Sequence, residues 1–123
     1  MEDDRDDRLL FSTTLAEIDE KITLNFAISG WQALEMLEQC PVLPDVIFLD
    51  YHLPLMNGYD CLCEIKKRER LKHVPVVVWT VSPLHRQKCF DAGAQTYLIK
   101  PSAGKQFAMQ LKQIIYPNFP MSN

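Results

Sequence analysis

Two short runs without a single polar residue, Val46 to Leu49 and Val76 to Trp79, constrain this chain more than any other feature. A strand with one wet face alternates apolar with polar residues; a run apolar throughout belongs to a strand covered on both faces, the habit of parallel sheets flanked by helices. A third strand is read at Thr96 to Ile99, and Lys100-Pro101 stops it. The first is followed by Asp50, the second by Thr80 and the third by Lys100.

The segments between these runs carry helical spacing. Phe11, Thr14, Leu15 and Ile18 fall at i, i+3, i+4 and i+7, which predicts a helix from Asp4 to Glu20. Ile22 to Ile28 alternates apolar with polar residues and reads as a further strand, closed by the cap-and-turn pair Ser29-Gly30. The next helix carries Ala33, Leu34 and Leu37 on one stripe, with Trp31, Glu35 and Glu38 on the opposite side, and Pro41 and Pro44 end it. Asn57-Gly58 marks a turn before a helix from Tyr59 to Arg70, anchored by Leu62 and Ile65. Ser82-Pro83 supplies an N-cap and first-turn proline for a helix ending near Gly93. Phe107, Leu111, Ile114 and Ile115 give a terminal helix one apolar side. The expected organisation is one domain over residues 1–116 and a short tail over 117–123. Repeated strand-then-helix units predict a doubly wound α/β sheet, whose ligands bind beyond the carboxyl ends of its strands.

Composition narrows the function. Thirteen Lys and Arg against sixteen Asp and Glu leave a formal charge of -3, so no general basic field exists for direct nucleic-acid binding or for an anionic membrane. No window approaches the roughly 20 apolar residues of a membrane span, and the N-terminus is acidic where a signal peptide is basic. Cys40, Cys61, Cys63 and Cys89 form no CxxC pair. Cys61 and Cys63 on a helix point about 200° apart and cannot clamp one metal. Reduced thiols and a cytoplasmic location are expected. His52, His73 and His85 each stand alone in sequence and read as solvated side chains.

The polar residues at the strand ends therefore carry the chemistry. Glu2, Asp3 and Asp50, held together, repel one another unless a hard divalent cation sits among them, and Mg²⁺ suits carboxylates, a backbone carbonyl and waters. Five acids in the first seven residues equally suit a solvated tail. Lys100 offers a point charge to a phosphate oxygen and Thr80 a hydroxyl donor, as phosphoryl transfer requires. Asp50 can be the nucleophile, since carboxylates form aspartyl-phosphates.

In order and spacing the segments MEDD, VIFLDYHLPLMNG, VVVWTVS and GAQTYLIKPS resemble the receiver domain of two-component response regulators over essentially the whole chain. The resemblance implies a flavodoxin-like fold with strand order 2-1-3-4-5 that takes a phosphoryl group from a histidine kinase onto an aspartate. It implies Asp50 as phosphoacceptor, Glu2 and Asp3 as the acidic Mg²⁺ pair, and His52 as the residue lending its backbone carbonyl to the metal. Thr80 corresponds to the switch hydroxyl, Tyr97 to the aromatic that turns inward on activation, and Lys100 to the lysine that pairs with the phosphoryl group. His52 and Ser82 occupy positions that influence phosphate hydrolysis, and Lys100-Pro101 corresponds to a bond that is cis in the family.

With only Pro117 to Asn123 after the last helix, no DNA-binding output domain is expected, and the signal is expected to leave by docking or by transfer to a histidine phosphotransfer protein. A homodimer through the fourth helix, last strand and last helix is a further expectation. Such a protein catalyses its own phosphorylation and dephosphorylation without turning over an external substrate, which leaves its standing as an enzyme open. The rival reading is a receiver-like module that binds partners without phosphorylation. A flavodoxin is disfavoured because no Ser/Thr/Gly-rich phosphate loop follows an apolar strand, and a haloacid-dehalogenase-type phosphatase because residue 52 is His. The chain opens at Met1-Glu2-Asp3, and the family's first, central strand is therefore expected to be truncated or absent in this sequence. Weak Mg²⁺ affinity and low stability are expected from that gap.

Overall fold

The computed structural model describes residues 1, 4–19, 21–100 and 104–118. Helix α1 (Arg5–Ile18) begins at Asp4, whose carboxylate accepts the Asp7 backbone N–H at 2.9 Å and so satisfies one of the unpaired amides of the first turn. Ser29 caps α2 (Gly30–Gln39) in the same way, and Asn57 caps α3 (Gly58–Lys67) through the Asp60 amide at 2.9 Å. Helices α4 (Arg86–Asp91) and α5 (Gly104–Asn118) complete the set.

Strands β1 (Ile47–Leu49), β2 (Val76–Thr80) and β3 (Thr96–Ile99) form a parallel sheet in the order β1-β2-β3, with Ile47 opposite Val76 and Val77 opposite Thr96. Every residue of β2 is buried, which is what its unbroken apolar run demanded. Side chains alternate between the two sides of the sheet. Ile47, Leu49, Val76, Val78 and Tyr97 pack into one core with Leu34, Leu62 and Ile65. Phe48, Trp79 and Leu98 pack into a second core with Phe11, Leu15, Phe107 and Leu111. Helices on both faces make the fold doubly wound, and the two apolar runs and the segment Thr96–Ile99 become the three strands seen among the described residues.

Four expectations change. The segment Ile22 to Ile28 is not a strand of the sheet. It retains the burial rhythm of one, with Ile22, Leu24 and Phe26 half-buried against the second core and Thr23 and Asn25 exposed. A ladder needs a neighbouring backbone, and this segment instead shares with β1 the wall of a cavity of about 480 Å³. Ser82 does not cap α4: its hydroxyl accepts the Leu84 amide at 3.2 Å in a separate turn, and the helix starts at Arg86 behind His85, which makes no side-chain cap bond. Helix α3 ends at Lys67, three residues before Arg70, because Arg68 turns out into extended backbone. Helix α5 runs to Asn118 and takes in two residues assigned to the tail. No helix among the described residues is long and apolar enough to cross a membrane.

Candidate functional site

The site lies at the carboxyl ends of the three strands. Asp50 follows β1 directly and is 6% exposed. Its Oδ1 accepts the His52 amide at 3.0 Å, which holds the carboxylate against its own loop, and its Oδ2 accepts Lys100 Nζ at 2.7 Å. The Asp50 amide donates to the Met1 carbonyl at 3.1 Å.

Lys100 reaches this point because its backbone N–H donates to the Thr80 carbonyl at 2.8 Å, keeping the end of β3 beside that of β2. Its ammonium is held by three groups: Asp50, the Asp7 Oδ2 at 2.7 Å, and the face of the Trp79 ring 4.7 Å below. With the side chain only 10% exposed, two carboxylates and an aromatic face replace the water that a lysine head normally keeps. Thr80 is fully buried, and its Oγ1 has no hydrogen-bond partner among the described residues. A native buried hydroxyl without a partner carries an energetic cost and calls for a functional reason.

Tyr97 is also buried, its hydroxyl donating to the Ser82 carbonyl. Burial pushes the phenol above its usual pKa, against the smaller opposing effect of a backbone hydrogen bond from His85. Sequence residues Asp50, Thr80 and Lys100 thus converge, with Tyr97 one strand position from Thr80's neighbours and Ser82 tied to it. His52 lends its amide to Asp50 while its side chain stays exposed. Glu2 and Asp3, expected to hold the metal, lie outside the described residues, as does Pro101 of the expected cis bond.

Three participants escaped the sequence reading. Asp7 was one acid in a run of acids; the first turn of α1 brings it to Lys100. Gly58, half of the predicted turn, is the first residue of α3 and donates its N–H to the Tyr51 carbonyl at 2.7 Å. A Cβ there would stand 2.5 Å from Tyr51 Cα and 2.6 Å from the Asp50 carbonyl oxygen. Only glycine lets α3 abut the Asp50 backbone this closely. His85, expected to be solvated, instead stacks on Tyr51 with ring centroids 3.8 Å apart and planes 4° from parallel, and His52 stands edge-on to both. No local pattern announces a stack between residues 34 positions apart.

Comparison with known proteins places this geometry in context. The family model for the response regulator receiver domain matches residues 1–112. The two-component response regulator ORR13 of Oryza sativa subsp. japonica is 37% identical over 103 residues, covering 82% of this chain and 83% of that protein. The sensor histidine kinase CheAY of Helicobacter pylori is 32% identical over 96 residues, which is 76% of this chain but 12% of the kinase. Among solved structures, the phosphorylated cyanobacterial phytochrome response regulator RcpA superposes with a TM-score of 0.89 at 27% identity, covering all of this chain and 93% of that one. The receiver domain of a Pseudomonas aeruginosa sensor histidine kinase, crystallised with a magnesium ion in its active-site cleft, gives a TM-score of 0.75 at 25% identity, covering 92% of this chain and 91% of the other. The fold is the flavodoxin-like α/β receiver fold, and the chain belongs to the response regulator receiver family of two-component systems.

Proposed function

We propose that this receiver accepts a phosphoryl group on Asp50 from the phosphohistidine of a histidine kinase or a histidine phosphotransfer protein. The observation that carries the reading is the convergence on three adjacent strand ends of a buried carboxylate, a lysine ammonium 2.7 Å away and a buried Thr80 hydroxyl without a partner among the described residues. In the transfer an Asp50 oxygen attacks phosphorus, the P–N bond breaks, and the imidazole leaves with the bonding pair. Lys100 then pairs with a phosphoryl oxygen in place of the free carboxylate, and Thr80 donates to another.

Among the described residues no three His, Cys, Asp or Glu are grouped so as to hold a metal ion, and Asp50 and Asp7 both face the Lys100 ammonium; the Mg²⁺ of this reading takes hard oxygen donors such as the Asp50 carboxylate. Glu2 and Asp3 would join Asp50 and the His52 carbonyl in holding it. Bound there, it would neutralise charge developing on the transferred group.

Thr80 and Tyr97 form the switch in this reading. A new acceptor in the site gives the Thr80 hydroxyl the partner it lacks, and Tyr97, tied to the Ser82 carbonyl, passes the change to the loop before α4. His52 and Ser82 border the site and would set how readily water reaches the aspartyl-phosphate. Output leaves by protein docking, with a homodimer through α4, β3 and α5 as one form of it. Exposed Leu55, Val81 and Leu84 stand on the loops that follow β1 and β2, an apolar collar suited to a protein donor. Four free cysteines suit a reducing compartment such as the cytoplasm.

Intact-mass measurement after incubation with acetyl phosphate and Mg²⁺ tests the assignment. One phosphoryl increment is expected on the native chain and none on Asp50→Asn. Full labelling of the variant refutes Asp50 as acceptor, and an unlabelled native chain that still binds its partner favours a phosphorylation-independent module.

A further inference from the structure

His85 stands where α4 begins, and its side chain turns away from that helix. Its carbonyl accepts the Cys89 amide at 3.0 Å, the first helical bond of α4, yet its side chain makes no cap bond. The cap position of a helix favours Ser, Thr, Asp or Asn, whose oxygens satisfy first-turn amides, so a ring there serves something other than the helix. The ring lies face to face on Tyr51, with centroids 3.8 Å apart and planes 4° from parallel, and His52 braces both rings edge-on at 5.4 and 6.3 Å.

Tyr51 is a fixed platform. One peptide bond joins it to Asp50, it is buried, and its carbonyl accepts the Gly58 amide at the start of α3. The loop on the other side of the stack, Val81 to His85, exposes Val81 and Leu84 and spends the Ser82 hydroxyl on an amide of its own turn. Two tethers cross from this loop to other elements: the Ser82 carbonyl accepts the Tyr97 hydroxyl, and the His85 ring rests on Tyr51. The first runs to β3, the second to the residue beside Asp50. A loop without the second tether would absorb a displacement in its own backbone dihedrals, whereas closely packed rings pass it on. Resting on the reading of Asp50 as phosphoacceptor, we propose that His85 is a positioning residue that couples the Asp50 site to α4. Movement at the ends of β1 and β2 displaces the start of α4 only while the Tyr51 and His85 rings stay in contact. The planar ring does this, not its charge.

Three variants of the full chain test the coupling. His85→Ala removes the ring, His85→Ser removes it and supplies the cap that α4 lacks, and His85→Phe keeps a flat ring with no ionisable group. Amide chemical shifts of residues 86–91 are recorded with and without beryllofluoride, a phosphoryl mimic, in Mg²⁺, and acetyl-phosphate labelling is followed by intact mass. The shift response is expected to fall at least threefold in His85→Ala and His85→Ser and to keep its native size in His85→Phe, with labelling of Asp50 at the native rate in all three. Loss in His85→Ser cannot be assigned to fraying of an uncapped helix, and if His85→Ala does not fold, the contrast between serine and phenylalanine decides alone. A native-sized response in His85→Ser, a response lost in His85→Phe, or a labelling rate that falls together with the response overturns the proposal. So does a labelled native chain in which residues 86–91 do not respond. A native chain that takes no label overturns the assignment of Asp50 as acceptor, and the coupling falls with it.

Discussion

Lys100 Nζ lies 2.7 Å from Oδ2 of Asp7, a residue 93 positions earlier in the chain, while the same ammonium is 2.7 Å from Asp50. Two carboxylates on one cation let Lys100 part from Asp50 without becoming an unpaired buried charge, which is what a group that must re-pair during phosphoryl transfer requires. Asp7→Asn should therefore leave Asp50 competent but cost about 1 kcal/mol, the scale of a partly exposed ion pair, seen as a melting temperature lower by about 4 °C. Thermal melts at low and high salt check this; an unchanged melting temperature would remove Asp7 from the network.

The unpartnered Thr80 hydroxyl yields a prediction of opposite sign. Removing a buried unsatisfied polar group while keeping its shape relieves a cost of about 1–3 kcal/mol. Thr80→Val should raise the melting temperature of the unphosphorylated chain and abolish the chemical-shift response of residues 85–90 to beryllofluoride. A destabilised variant that still responds would show that the hydroxyl is already satisfied and plays no part in switching.

Gly58→Ala places a Cβ within 2.6 Å of the Asp50 carbonyl oxygen, and backbone cannot yield as a flexible side chain would. Overpacking of this kind costs about 1–3 kcal/mol. Because the displaced atoms belong to Asp50 and Tyr51, the acetyl-phosphate labelling rate should fall by at least tenfold in a chain that circular dichroism shows to be folded. Wild-type labelling would mean that α3 shifts freely.

Burial pushes the Cys61 thiol up from 9.0 to about 11, ahead of the smaller opposing influence of the N-terminal ammonium. A raised folded-state pKa means the folded protein holds the proton more tightly, so the stabilisation is complete below pH 9 and is lost between pH 9 and pH 11. At 1.36 kcal/mol per unit this amounts to about 2–3 kcal/mol. Burial raises Cys89 in the same sense, whereas Lys66, lowered by burial, opposes both. The melting temperature should drop between pH 8.5 and 11, and less steeply in Cys61→Ala. Parallel pH profiles for the two proteins would exclude Cys61 as the source.

The sequence alone located the three strands, because a short β-branched apolar run such as Val76 to Val78, bounded by turn signals, suits a strand covered on both sides. It also determined that Asp50, Thr80 and Lys100 stand at one edge, since parallel strands of a doubly wound sheet all end on the same side. Helix starts were legible where a local side-chain cap exists, at Asp4, Ser29 and Asn57, and misjudged at Ser82, whose hydroxyl closes a turn of its own instead. What tertiary structure decided depends on partners distant in the chain. The alternation of Ile22 to Ile28 is local and was realised as burial, but a ladder is a contact between two backbones, and the neighbouring position holds Met1 at one end and a cavity along the rest. Likewise the pairing of Asp7 with Lys100, the stacking of His85 on Tyr51 and the close approach at Gly58 each arise when separate elements pack. Periodicity and capping are properties of neighbours in sequence, whereas these contacts are fixed only once helices α1 and α3 and the loop before α4 have settled against the sheet.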